Sequence, residues 1–192
     1  MPITPRPVIA LAAQDKAGFM VVEMARDVGR AVMAKGFHLL CAGTGEVLKA
    51  ACEGAQEEKA NLRRRGRIIG DPPMVIGLLS SMRKQDGCGE LDLVLPTGMG
   101  LARSTLICSA ADALIALEGG AGTLGDVAQA WQYGKPIILM APNGSVLENL
   151  VGEKLDTNRD DMILSAETAD RALEILAERI AQAASGAPKP KR

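Results

Sequence analysis

Short, almost wholly apolar runs alternate with longer segments of helical periodicity along the whole chain, and no other feature limits the fold as strongly. The runs cover residues 8–12, 38–41, 74–79, 91–95, 113–117 and 136–140. A strand that is apolar on both sides needs cover on both sides, which is the mark of a parallel sheet between two helical layers. The segments between them fit this. Residues 19–35 place Val22, Ala25, Val28 and Val32 at helical spacing, with Gly36 where a helix would stop. Residues 46–65, 102–111, 123–133 and 166–184 also read as helices, and residues 145–150 as a weak helical turn. Residues 162–164 read as a short edge strand. The expected fold is therefore α/β: a Rossmann-like, doubly wound, mainly parallel sheet with helices on both faces. Residues 1–184 are expected to form a single domain, with residues 185–192 a flexible tail.

Composition removes several classes of function. Aromatic residues make up 2% of the chain and the formal net charge is -1. A stacking groove for single strands and a global field for DNA are both missing, which argues against nucleic acid as a partner. Residues 1–7 do not read as an export signal, and no apolar stretch reaches the roughly 20 residues a membrane helix needs. A cytoplasmic protein with no membrane partner is expected. Cys41, Cys52, Cys88 and Cys108 form no CxxC pair and the chain has one His, so no metal site is expected and the thiols read as reduced.

Three glycine-rich turns fall where strands end, which in an open parallel sheet is the ligand-binding edge. They are Gly43-Thr44-Gly45, the segment running from Thr97 through Gly98, Met99 and Gly100 to Arg103 and Ser104, and Gly119-Gly120-Ala121-Gly122-Thr123. Glycine lets backbone approach a ligand, and the helix behind each turn offers unpaired N–H groups and the positive end of its dipole to an anion. Thr123 adds a hydroxyl that could cap its helix or donate to phosphate. None of the three is a P-loop or a dinucleotide GxGxxG, which argues against ordinary ATP or NAD sites. Arg103 could hold a phosphate bidentately or stand as a solvated surface residue. Asp126 could favour a helix dipole, face a sugar hydroxyl or act as an acid or base. Glu46 reads as a capping residue, Glu118 as facing ligand or water, His38 as structural, and Arg63, Arg64, Arg65 and Arg67 as a solvated helix end.

Gly43 to Ala51 with Gly54-Ala55, the Thr97-Gly98-Met99-Gly100-Leu101-Ala102-Arg103-Ser104 segment, Gly119 to Asp126 and Gly134-Lys135-Pro136-Ile137 together resemble the motifs of the SLOG superfamily. This group contains the Lonely-guy-type phosphoribohydrolases, the DNA-processing protein DprA/Smf and the molybdenum cofactor carrier proteins. The Thr-Gly-x-Gly-x-Ala-Arg form is most like the carrier branch. The resemblance implies a homodimer or homotetramer that binds a phosphorylated small molecule, with molybdenum cofactor or a nucleoside monophosphate as candidates. It assigns Gly43, Thr44, Gly45, Gly98, Gly100, Arg103, Ser104, Gly119, Gly120, Ala121, Gly122 and Thr123 to ligand and phosphate binding.

In the phosphoribohydrolases a glutamate and an arginine cleave an N-glycosidic bond; Arg103 matches the arginine, and Asp126 stands where the glutamate would be. A side chain one methylene shorter falls about 1.5 Å short, and misplacement on the order of 1 Å costs ~100-fold in rate. The leading expectation is a binding or carrier protein for a phosphorylated nucleotide-like ligand, with molybdenum cofactor the specific candidate. The alternatives are a nucleoside 5′-monophosphate phosphoribohydrolase, with Arg103 and Asp126 catalytic, and a DprA-like nucleotide-sensing or DNA-binding module. The 12–14 loop lacks the family's Gly-Gly-Ser type of sequence, and residues 63–73 stand as extra length.

Overall fold

The computed structural model describes residues 5–68, 70–140 and 145–185. In chain order its elements are β1 (Val8–Ala12), α1 (Phe19–Ala34), β2 (His38–Cys41), α2 (Glu46–Arg64), β3 (Val75–Leu79), β4 (Leu93–Pro96), α3 (Arg103–Ala110), β5 (Ala113–Ala116), α4 (Ala121–Gln132), β6 (Ile137–Leu139), β7 (Leu164–Ser165) and α5 (Ala169–Ala184). Short 3₁₀ turns sit at Lys84–Asp86, Gly100–Ala102 and Glu148–Leu150.

Among the described residues the strands form one sheet in the order β4-β3-β2-β1-β5-β6-β7. Every pairing in it is parallel. The chain runs outward from β1 to β4, then crosses back to lay β5 against the other side of β1. That reversal is the topological switch point, and the crevice outside the carboxyl ends of β1 and β5 is where such sheets take ligands.

Two cores flank the sheet. On one face Ile9, Leu11, Leu39 and Ile115 pack against α1, α2 and α5. On the other, Ala10, Leu40, Leu114 and Leu139 pack against Ile107 of α3 and Trp131 of α4. With so few aromatics these layers are built from aliphatic side chains, and the fit between α1 and α2 is close. A Cβ on Gly29 would lie 1.9 Å from the Ala51 carbonyl oxygen, and one on Gly54 would lie 2.1 Å from that of Arg26. Above this crossing Arg26 pairs with Glu53 at 2.8 Å and Arg30 with Glu57 at 2.7 Å.

Several element boundaries differ from the sequence reading, each for a local reason. The helix expected from residue 123 begins at Ala121, because Gly120 takes the N-cap. The last helix begins at Ala169 rather than 166, because Thr168 caps it and accepts the Arg171 N–H at 3.3 Å. The edge strand expected at residues 162–164 lies at Leu164–Ser165, where register with Ile138 and Leu139 fixes it. Of residues 145–150 only a 3₁₀ turn at Glu148–Leu150 forms. The fourth strand starts at Leu93 instead of 91. Asp92 is occupied as a bracket, accepting the Val75 N–H at 2.7 Å and the ammonium of buried Lys59. Of the expected tail, all but Ser185 lies outside the described residues.

His38 is structural: its Nδ1 accepts the Met74 N–H at 2.9 Å, and burial with the nearby Arg6 charge holds its pKa down. Arg63, Arg64, Arg65 and Arg67 are exposed at the end of α2.

Candidate functional site

A cavity of about 50 Å³ opens at the β1/β5 switch point. Its floor is apolar, from Leu11, Leu48, Ile107 and Leu114; its polar groups are Asp15, Arg103, Ser104 and Asp126. They arrive on three pieces of chain. Asp15 comes from the loop after β1, Arg103 and Ser104 open α3, and Asp126 lies on α4.

The second glycine loop sets the position of Arg103. Gly98 and Gly100 both take positive φ, 65° and 56°. Their N–H groups donate to the Ser81 and Ser80 carbonyls at 3.0 and 3.1 Å, while the Thr97 hydroxyl donates to the Leu79 carbonyl at 2.7 Å. These amides are engaged at the end of β3, so the loop's contribution to the cavity is placement. Arg103 is the first residue of α3, not one turn into it, because the 3₁₀ turn Gly100–Ala102 precedes it. Its Nε is buried and has no hydrogen-bond partner. An unmatched buried donor costs about 1–3 kcal/mol, more when charged, and an anion entering the cavity would remove that cost.

Asp126 stands in the second turn of α4, since that helix starts two residues earlier than its sequence suggests. That takes it away from the first turn, where the dipole acts most strongly. Burial raises the pKa of its carboxyl, with the Ser104 hydroxyl and the Arg103 charge pulling the other way without overcoming it. Beneath it, the Cys108 thiol donates to the Asp126 carbonyl at 3.4 Å and is itself pushed up to about 12 by burial.

The third turn is folded around Thr123. Gly119 is buried, and a Cβ on it would lie 2.0 Å from the Thr123 hydroxyl oxygen. Thr123 is 4% exposed and does not cap α4; it fills the space under Gly119. Gly120, Ala121 and Gly122 are exposed at the helix start, the part of this turn open to an anion. In the first turn Gly43 is buried, whereas Thr44 and Gly45 are partly open. Gly45 has φ 87° and carries no Cβ because Asp15 Oδ1 would then be 2.8 Å away. The Glu46 N–H donates to the Asp15 carbonyl at 2.7 Å, while the Glu46 side chain is exposed and N-cap Gly45 supplies no side-chain bond. Glu118 is tied back, accepting the Gln14 side-chain amide at 3.1 Å.

The structure thus brings Arg103, Ser104 and Asp126 together in one cavity. Asp15, Ala42 and Leu48 join them there; Ala42 and Leu48 belong to the first glycine segment and its motif, whereas sequence reasoning missed Asp15. The signal for Asp15 was its place just past β1, a strand that becomes the switch point only once β5 pairs with it. No helix among the described residues is long and apolar enough to cross a membrane. No cluster of His, Cys, Asp and Glu fit to hold a metal ion occurs among them either.

The fold is shared with solved structures. The molybdenum cofactor binding protein of Rippkaea orientalis aligns over 93% of this chain and 99% of its own, at 24% identity and a TM-score of 0.77. The molybdenum cofactor carrier protein of Chlamydomonas reinhardtii aligns over 92% and 99%, at 23% identity and a TM-score of 0.74. An uncharacterised protein of Archaeoglobus fulgidus is 32% identical over 116 residues, covering 60% of this chain and 67% of that protein. The model of one family, the SLOG cluster4 family, matches residues 8–173. With that match spanning the sheet from β1 to α5, the chain belongs to the SLOG cluster4 family.

Proposed function

We propose that the protein binds and carries a phosphorylated, nucleotide-like small molecule, with molybdenum cofactor as its cargo. The observation that carries this reading is Arg103, whose buried Nε lacks a partner in a cavity at the switch point of the sheet. A phosphate seated between the Arg103 guanidinium and the open start of α4 satisfies that donor. It also meets the helix N–H groups that have no partner within the helix. Asp126 and Asp15 then face the rest of the ligand and suit its N–H or O–H donors, because a carboxylate accepts and a second anion beside it is repelled. A pterin or purine carries such donors. The likeness to the cofactor carriers supports the choice of cargo. The same reading places the protein in the cytoplasm as a homodimer or homotetramer.

Isothermal titration with molybdopterin, nucleoside monophosphates and inorganic phosphate tests it. Binding by the native protein should weaken by on the order of 10- to 100-fold in Arg103→Ala, the worth of a charge-assisted bond. No affinity for any of these ligands removes the reading.

One observation favours a second function. A carboxyl raised by burial beside an arginine suits a general acid, so a phosphoribohydrolase using Asp126 and Arg103 is the alternative. Release of free base from AMP or a cytokinin nucleotide, abolished in Asp126→Ala, would establish it. Absence of turnover across a nucleotide panel dismisses it.

A further inference from the structure

The loop between β1 and α1, residues 13–18, is held from both sides of the switch point. On one side the Gln14 side-chain amide donates to Glu118 Oε1 at 3.1 Å, and the Gln14 N–H to the Glu118 carbonyl at 3.5 Å. Glu118 leads from β5 into the third glycine turn, so this clasp ties the loop to the start of α4. On the other side the Asp15 carbonyl accepts the Glu46 N–H at 2.7 Å. Asp15 also lies against the bare backbone of Gly45, where a Cβ would meet its Oδ1 at 2.8 Å and its Cα at 3.0 Å. Gln14 and Glu118 are half-buried, and neither lines the cavity. Asp15 is exposed and lines it, which puts its carboxylate at the mouth. Because Gln14 and Asp15 are adjacent in the chain, the clasp reaches Asp15 through the backbone.

The size of the cavity divides the work between its polar groups. About 50 Å³ is room for a few water-sized groups, so a phosphate beside Arg103 fills it and the rest of a larger ligand leaves past Asp15. A carboxylate accepts hydrogen bonds and donates none, so at the mouth Asp15 holds a hydroxyl or amino group and repels a second phosphate. Such a bond gains most when its acceptor is held in place before the ligand arrives, because little ordering cost then remains. Resting on the phosphate-binding reading above, we propose that Asp15 is the specificity-determining residue of the cavity and that Gln14 and Glu118 position it. The ligand class that fits is a phosphate monoester with a hydroxyl or amino donor a few bonds from its phosphorus.

Isothermal titration of the full chain with inorganic phosphate, AMP and molybdopterin tests this division. Arg103→Ala should weaken every probe that the native chain binds. Asp15→Ala should weaken the bound monoester, AMP or molybdopterin, by on the order of 10- to 100-fold, the worth of a bond to a charged group, and leave phosphate as tight or tighter. Gln14→Ala and Glu118→Ala should each weaken the monoester by roughly 2- to 10-fold and leave phosphate unchanged. Combining the two should bring no further loss, because they break one contact. Glu118→Gln keeps an accepting oxygen and should retain native affinity for both kinds of probe. Equal loss of phosphate and monoester in Asp15→Ala, no loss of monoester there, or a native chain that binds phosphate but neither monoester overturns the role of Asp15. Native affinities in Gln14→Ala, or phosphate falling together with the monoester, overturn the positioning role. Each of these results leaves the phosphate-binding reading standing, whereas a native chain that binds none of the three probes removes both.

Discussion

The Asp126 carboxyl has one guanidinium and one hydroxyl for company, and burial outweighs both. Its folded pKa lies above the unfolded value of about 3.9, so the native state holds the proton more tightly. The resulting stabilisation is complete below that value and is lost as pH rises through the folded pKa. Asp126→Asn has no such loss. Melting temperatures of native and variant protein should separate progressively as pH rises from about 4, in the variant's favour, and level off above the folded pKa. A gap constant with pH would put this carboxyl at its ordinary value. Glycine substitutions just before α4 and within it should have opposite signs. Gly119→Ala sets a methyl 2.0 Å from the Thr123 hydroxyl and should cost about 1–3 kcal/mol in urea unfolding. Gly125→Ala enters open space inside the helix and should stabilise by about 0.5–1 kcal/mol. The sequence made Arg103, Ser104 and Asp126 legible because charged and hydroxyl groups beside a glycine turn are unusual enough to notice. It could not show that the Gly98 and Gly100 amides are engaged at the end of β3, or that Thr123 points inward. Both depend on what the chain packs against.

Contact between α1 and α2 rests on bare backbone at Gly29 and Gly54, so added bulk should act on the pair of helices as a unit. Gly54→Ala should force them apart and cost about 1–3 kcal/mol or more, read from the guanidinium unfolding midpoint. Restoration to the native midpoint by this single change would mean that the helices slide without strain. The sequence pattern revealed the five α-helices and, with the short edge strand displaced, the seven strands of the described residues, since apolar spacing is a direct consequence of one-sided or two-sided burial. Their ends were less legible. Gly120 and Thr168 move two helix starts in opposite directions, and nothing but backbone conformation and one cap bond decides it. The bracket of Lys59, Asp92 and Val75 sets the start of β4 across distant stretches of chain, which no local pattern carries.

At the scale of the molecule, alternation predicted a parallel sheet but not its order, because propensity does not say which strand β5 will join. The order leaves β4 at an edge. Its register places Leu93 and Leu95 beside Ile76 and Leu78, on the α3 side, where they are 38% and 43% exposed. Leu101 and Leu106 are exposed next to and in α3. If this face joins copies of the chain, Leu93→Lys with Leu106→Lys should lower the sedimentation coefficient to that of a monomer; an unchanged value refutes that placement. The cavity has a different dependence on chain order. Its walls run from Leu11 to Asp126, and β1 is held to β5 by Asp112, whose carboxylate accepts the Val8 N–H at 2.8 Å across 104 positions. No wall-to-wall cavity exists during synthesis until α4 has left the ribosome and β5 has docked, a long-range pairing of the kind that folds slowly. A cargo that binds only the finished cavity stabilises finished molecules alone, so its supply should govern how much newly made chain survives degradation.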